Sequence, residues 1–444
     1  MKALVSIAAL LVPLGISLIF FPEGFFACLV CVPLVVVTLA LLNRDEVNGP
    51  FLMQLFILAF LARIIVASAI FGFGAMEFFG SDALVHEFHG YTLLEVWEGR
   101  VDVPYFLNDW AKPWGLYNLI AAVYFLIGRN YLAICFISAF CGAATSVLVF
   151  LCAQKIFNNL RTAKFAALLT AFLPAMIIWS SQVLKDGFVV FFVVLVIYFL
   201  TKLQEQFNWL DVVFLLLSLF AVFSLRNYVF YFAAFACVGS FAFGSERVLA
   251  NNFRWLGIMT LLVAAFAYTG ALSVGTEQLE RLSDIENIQY SRTVLTREAE
   301  SGYGAGTDIT TTGGALAALP VGLANLLLAP FPWQFGSLRS TLPLPEMLVW
   351  WALFPFLFAG IKYTLFNRFR KAVPMMLFTI TLTIVYALFQ TNVGTAYRQR
   401  TQIQVFLFMF IAVGWTLFQE RRDDKKILSS ARRQRPLVNN LELR

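Results

Sequence analysis

The stretch Pro113-Trp-Gly-Leu-Tyr-Asn-Leu-Ile-Ala-Ala-Val-Tyr-Phe-Leu-Ile-Gly128 decides how this chain is threaded. It is apolar enough to be taken for a membrane span, and the side on which every later connector falls depends on it. At 1.5 Å per residue its length of about 16 residues falls short of the ~30 Å hydrocarbon core. If it crossed alone, Lys155, Arg161 and Lys164 would lie opposite the other basic connectors. If it lies on the outer surface, those three share one side with Arg247 and Arg254, with Arg368, Arg370 and Lys371, and with the basic tail. The positive-inside rule makes that side the cytoplasm, and we adopt this threading. The run 315–331 is read the same way, as re-entrant or interfacial, because Pro320, Pro330 and Pro332 interrupt it.

Outward from that stretch, apolar runs recur at 3–21, 25–42, 51–75, 130–154, 163–181, 187–203, 209–225, 227–244, 254–272, 345–366, 371–390 and 401–419. The expectation is an all-α, polytopic membrane helix bundle of about 12 transmembrane helices, with both termini cytoplasmic. A composition of 60% hydrophobic and 13% charged residues agrees, and a β-barrel would show short alternating segments instead. Lys2 followed by the run 3–21 resembles a signal peptide, but no small-x-small site precedes Pro22-Glu23, so it is read as a retained first helix. No repeat is visible. The organisation expected is one membrane domain, 1–419, with outer loops 76–129 and 273–344, and a basic cytoplasmic tail, 420–444. Within those loops the acidic segment Glu77–Asp109 and the segment Ser273–Thr312 face outward. Much of the formal charge of +6 sits in that tail, which suits anionic lipid and argues against nucleic acid. Cys28 and Cys31 have metal-pair spacing, but both lie mid-span without flanking ligands.

The first outer loop reads Gly80-Ser-Asp82-Ala-Leu-Val-His86-Glu87-Phe-His89-Gly-Tyr91 and holds both histidines of the chain. His86 and His89, with Asp82 or Glu87, have helical spacing that would suit a metal; the simpler alternative is a solvated loop helix. Asp82 follows directly on a membrane exit, where a carboxylate is held at the interface. Outer-face cations are few. Arg398 and Arg400 stand in Tyr397-Arg-Gln-Arg between two spans, on the face that the sign rule leaves poor in cations. They are read either as phosphate ligands or as partners of loop carboxylates. Arg226 and Lys185, at other outer turns, carry the same two readings. Arg63 lies deep in a span, where a charge costs ~2.5–3.5 kcal/mol on insertion scales, so it must face the interior and find a partner. Phe331-Pro332-Trp333, with Trp350-Trp351 nearby, is either an interfacial aromatic belt or the lining of a groove for a prenyl chain or sugar.

The order of these features resembles that of a known family. A span is followed by an acidic residue just outside it, an amphipathic loop with Lys112-Pro113, then Ala-Ala-Leu-Leu-Thr-Ala-Phe-Leu-Pro174 and Ser-Ser-Gln-Val-Leu-Lys185-Asp186. Over roughly 51–245 the chain resembles the C-type (GT-C) membrane glycosyltransferases, a class that includes protein O-mannosyltransferases and lipid A aminoarabinose transferases. The resemblance implies that Asp82 is the first-loop catalytic acid position and that Lys112-Pro113 stands for a Lys/His-Pro-Pro element, with Trp114 in place of the second proline. Asp186 matches an acidic residue at the next outer turn. Ala83 stands where the family commonly has Glu.

The resemblance further implies a polyprenyl-phosphate sugar donor, a glycan, lipid or protein acceptor, and a site on the outer face of the cytoplasmic (inner) membrane. In this picture Asp82 is the general base, and Arg398, Arg400, Lys112, Lys185 and Arg226 bind the donor phosphate. His86, Glu87, His89, Tyr91, Asp186 and Arg63 support them. No cofactor is expected, a divalent cation being the alternative left open. Other readings are a polysaccharide polymerase or ligase on a diphosphate carrier, a lipid or solute transporter, and a non-catalytic envelope scaffold. A transporter would show midplane ionisable sites in repeated halves, and here Arg63 alone is deep.

Overall fold

Inside a hydrocarbon layer every backbone amide must be satisfied within the protein, so long apolar runs have little choice but helix. The computed structural model describes residues 2–104, 113–243, 285–298, 302–304, 308–334 and 341–439. The chain opens with α1 (Lys2–Ile19), α2 (Glu23–Leu42), α3 (Gly49–Gly72), the short α4 (Met76–Gly80), α5 (Asp82–Trp97) and α6 (Trp114–Ile127). There follow α7 (Tyr131–Phe157), α8 (Leu160–Phe172), α9 (Pro174–Trp179), α10 (Lys185–Glu205), α11 (Trp209–Leu225) and α12 (Asn227–Phe243). The later part holds α13 (Ile285–Glu298), α14 (Thr312–Leu328), α15 (Leu344–Asn367), α16 (Phe369–Phe389) and α17 (Val393–Asn439). No strand occurs among the described residues, and the polytopic helical membrane architecture expected from the sequence is the one observed.

Among the described residues seven helices are long and apolar enough to cross a membrane: α2, α3, α7, α10, α15, α16 and the first part of α17. Shorter apolar helices accompany them, and the expected span 254–272 lies outside the described residues. Burial sorts them. The apolar windows of α7 and α17 are each 83% buried and form the centre, whereas α2 (17%) and α15 (28%) turn most of their surface outward. α15 and α17 approach closely because Gly360 and Gly414 lack side chains; a Cβ on Gly360 would come within 1.8 Å of the Phe410 carbonyl.

The run 163–181 is not the continuous span expected. It breaks into α8 and α9, because Pro174 forces Leu173 into an extended conformation (ψ 130°). The broken end leaves carbonyls that the helix cannot satisfy, and Arg63 of α3 collects them. Its Nη1 donates to the Ala171 carbonyl at 2.9 Å and to Ala59 at 2.9 Å, its Nη2 to Thr170 at 3.2 Å, and its Nε to Ser180 Oγ at 2.8 Å. Gly142 of α7 makes room, since a Cβ there would lie 2.6 Å from Arg63 Nε. The deep charge thus holds a helix break in place.

Ion pairs separate the two ends of the bundle. At one end Glu205, closing α10, pairs with Lys155 at 2.7 Å and Lys371 at 2.9 Å, and Arg161 pairs with Asp423 at 3.2 Å. At the other, α10 begins and α5 and α6 form a hairpin. Both ends of α6 stay there: Gly115 abuts Ser224 near the end of α11, and Arg129, just past Ile127, pairs with Glu87 of α5. The flanks of α14 return to the same end, Tyr303 donating its backbone N–H to Thr391 and Ala329 accepting from Arg400.

Candidate active site

At the end where α10 begins, four elements deliver charged side chains to one place. Asp82 opens α5, directly after the membrane exit of α3 and the turn of α4; Asp186 sits in the first turn of α10. Arg226 caps α11, and Arg398 lies in the second turn of α17. Arg398 is the hinge of the group. Its Nη1 donates to Asp82 Oδ2 at 2.7 Å while its Nε lies 3.4 Å from Asp186 Oδ2. Arg226 Nη2 reaches Asp186 Oδ1 at 3.1 Å. The Asp186 side chain is 1% exposed and the Asp82 side chain 50%, so the cluster runs from the protein interior to an open mouth.

Sequence reasoning did not foresee the second layer of the cluster. Gln402, one helical turn below Arg398, donates to Asp186 Oδ1 at 3.4 Å and accepts from the Tyr386 hydroxyl at 2.8 Å. Tyr386 meets Tyr228 at 3.2 Å, and the Arg226 guanidinium lies 5.6 Å from the centre of the Tyr228 ring. The signal was available: Arg398 and Gln402 stand four apart, and i, i+4 residues share a helix face.

Electrostatics favour an ionised Asp82. Burial alone would raise its carboxyl, but the charge and hydrogen bond of Arg398, with help from His86 and Lys185, bring the net shift below the ordinary value. His86, one turn on, goes the other way. Burial, and then the nearby Lys185, push its imidazolium down to about 3 against the pull of Asp82, so it is neutral near pH 7. Three cations (Lys185, Arg226, Arg398) against two carboxylates leave the cluster with one positive charge in excess. An arrangement of this kind can take an anion at its mouth.

The remaining residues singled out from the sequence lie elsewhere. Glu87 faces away from Asp82, bound by Arg129 through two bonds of 2.8 Å and by the Tyr124 hydroxyl at 3.1 Å. Arg129 also covers the ring of Tyr91 at 4.3 Å. His89 Nδ1 meets the Tyr117 hydroxyl at 3.0 Å. These contacts pin α5 to α6 and give Glu87 and His89 partners away from Asp82; among the described residues no three His, Cys, Asp or Glu converge on a metal position. Arg63 belongs to the helix break. Lys112 lies outside the described residues.

Arg400 parts company with Arg398. The sequence suggests that both stand between two spans on one face, but the helix already starts at Val393, and at 3.6 residues per turn two positions differ by about 200°. Arg400 is fully buried on the far side of α17, donating to the Leu327 carbonyl at 3.1 Å and to Ala329 at 2.9 Å. Beside it Glu346, also missed, accepts from the Tyr397 hydroxyl at 2.7 Å and the Ala175 backbone N–H at 2.6 Å. Part of the aromatic cluster, Phe331, Pro332 and Trp351, lines an apolar groove of about 530 Å³ on the outward side of α15 together with Leu328, Phe354, Pro355 and Phe358, whereas Trp333 is exposed and Trp350 buried apart from it.

Residues 111–269 match the family model of the dolichyl-phosphate-mannose-protein mannosyltransferases. The GT-C class resemblance is borne out over that segment. Lys185, Asp186 and Arg226 fall inside the match, Asp82 and Arg398 outside it. Among solved structures, that of ArnT from Cupriavidus metallidurans bound to undecaprenyl phosphate is similar at 16% identity and a TM-score of 0.43, over 72% of this chain. The chain spans 53% of the length of that structure. No curated protein matches the sequence.

Proposed function

We propose that this protein is a GT-C glycosyltransferase that moves a sugar from a polyprenyl-phosphate carrier to a hydroxyl-bearing acceptor, on the extracytoplasmic face of the cytoplasmic membrane. The observation that carries the reading is the cluster itself: a half-exposed carboxylate at the membrane exit, touching an arginine, over an excess of positive charge. The acceptor oxygen attacks the anomeric carbon, its proton passes to Asp82, and the bond from that carbon to the phosphate oxygen breaks. The carrier phosphate leaves with one more negative charge. Arg398, with Lys185 and Arg226 behind it, meets that charge as it develops, which stabilises the transition state more than the ground state. Asp186 and Gln402 keep Arg398 and Arg226 in place. Lys112 remains a further phosphate ligand in this reading, and Arg400 is left out of the phosphate set because carbonyls already occupy it.

The prenyl chain is assigned to the groove beside α15, which is apolar and faces the bilayer side of the bundle. Its volume lies within the usual range for ligand pockets. Orientation follows from the opposite end of the bundle, where Lys155, Arg161, Lys164, Arg368, Arg370 and Lys371 gather; basic connectors stay in the cytoplasm, so the Asp82 end faces out.

The test is Asp82→Asn, which keeps size and removes the proton-accepting charge. Transfer should fall by ~100-fold or more while expression and carrier binding persist. Full turnover in a normally expressed Asp82→Asn protein would remove Asp82 from the chemistry.

A further inference from the structure

The last turn of α14 ends in carbonyls that its own helix cannot satisfy. Three side chains from two other helices receive them. Arg400 of α17 takes Leu327 and Ala329; Trp350 Nε1 of α15 also donates to Leu327, at 2.7 Å; Trp351 Nε1 donates to Leu328 at 2.9 Å. The Arg400 guanidinium is pinned in turn. Its Nη2 lies 3.3 Å from Met347 Sδ, and the rings of Tyr397 and Trp350 lie 4.9 and 5.5 Å away. A charged group buried this completely, with Nη1 shared between two carbonyls, fixes the position of the backbone that carries them.

What it carries is one wall of the groove. Leu328, Phe331 and Pro332 follow from the clamped turn, and Trp351, Phe354, Pro355 and Phe358 form the facing wall. The latter four stand at i, i+3, i+4 and i+7 on α15, a strip about 10 Å long. Phosphate bound at Arg398 would sit across α17 from the Arg400 clamp, at least a helix diameter of about 10 Å from the groove beyond it. The first isoprene units therefore pass the helix, and only later ones lie in the groove.

We infer that Arg400 is a positioning residue that sets the spacing of the groove walls and so lets the protein distinguish carriers by the length of their isoprenoid chain. This rests on the carrier reading above. The geometry that supports it is the clamp on Leu327 and Ala329 together with the placement of Arg398 and Arg400 on opposite faces of one helix.

Binding of undecaprenyl phosphate and of geranyl phosphate to the detergent-solubilised full chain tests it without knowledge of the sugar. The unaltered protein should bind the long chain more tightly. Arg400→Met should weaken undecaprenyl phosphate by about tenfold and geranyl phosphate by less than about threefold, erasing the preference. Arg398→Met should weaken both by a similar factor, as expected of a head-group contact. Equal weakening of both lipids by Arg400→Met, or no weakening, would overturn the inference. Should Arg400→Met fail to fold, Trp351→Phe removes one clamp donor from the bilayer side and should reduce the preference in the same direction; an unchanged preference there also overturns it. If the unaltered protein binds neither lipid, the carrier reading itself falls, and this inference with it. If it binds undecaprenyl phosphate and the variants keep its preference, only the chain-length role is lost.

Discussion

Asp82 and Arg398 touch although 316 positions separate them, and their contact makes a statement about pH. The folded carboxyl of Asp82 lies below its ordinary value of 3.8, after Arg398 outweighs the burial that would raise it. A depressed carboxyl contributes stability that is present above the unfolded value and lost as pH falls through the folded one. With the Asp82 side chain half exposed, that contribution is small, and activity is the better readout. The acid limb of kcat against pH should lie below the ordinary carboxylate range and move upward in Arg398→Ala; an acid limb unmoved by that change would detach Arg398 from Asp82. Arg398→Lys should recover only part of the activity lost in Arg398→Ala, since an ammonium cannot serve two carboxylates through a planar fork. Activity in Arg398→Lys equal to that of the unaltered protein would show that point charge suffices. Arg226 and Asp186 are too deep for such clean tests, because either substitution leaves its partner buried and unpaired.

Among the elements, the break between α8 and α9 is the one whose cause can be isolated. Pro174 makes it, Arg63 holds it, and Gly142 gives Arg63 the space. Arg63→Met keeps the bulk but deserts the carbonyls of Thr170 and Ala171, and should cost about 2–4 kcal/mol, counting hydrogen bonds from a charged donor at their usual worth. Thermal unfolding in detergent reads this directly, and a midpoint unchanged within error would mean the break holds itself. Gly142→Ala should act on the same place more mildly, by crowding Arg63 and Ser180 apart. The α5–α6 hairpin has a different fastening: Glu87, Arg129, Tyr124 and the stacked Tyr91 tie it together at the Asp82 end.

For the molecule as a whole, the hairpin makes the threading testable. Val101, exposed between α5 and α6, and Leu160, exposed at the start of α8, lie on opposite faces if α6 stays at the Asp82 end. Val101→Cys should react with an impermeant thiol reagent applied outside whole cells, and Leu160→Cys only in inverted vesicles. Labelling of both from outside would mean that 114–127 crosses, and the proposed outward face of the site would lose its support. Of the native cysteines Cys31, Cys135, Cys141, Cys152 and Cys237 are buried, and Cys28, partly buried, is replaced by Ser to remove its background.

Run length and composition, which are local properties, were enough to read from the sequence a helical membrane bundle, the helix content of nearly every described span, and Asp82 at a membrane exit. In 315–331 only the stop ahead of Pro330 follows from the prolines, for the helix Thr312–Leu328 runs unbroken through Pro320, which does not interrupt it as expected. The break at Pro174 carried that signal too, but a continuous hydropathy run masked it. Partners were not legible. Arg398 and Arg400 look like a pair in the sequence, and only a helix begun at Val393 sends one to Asp82 and Asp186 and the other to the carbonyls of α14. Glu87 and His89 look like ligands beside Asp82, yet Arg129 and Tyr117 claim them once α6 folds back. Glu346 gave no local sign of where it would bind, and for Gln402 the i, i+4 spacing from Arg398 gave the helix face but not its partners Asp186 and Tyr386. A buried charge takes its partner from whatever the packing brings within about 3 Å, and helices remote in sequence supply it here. The sequence therefore settled which groups are available and on which elements they lie, while the tertiary structure alone decided which of them meet.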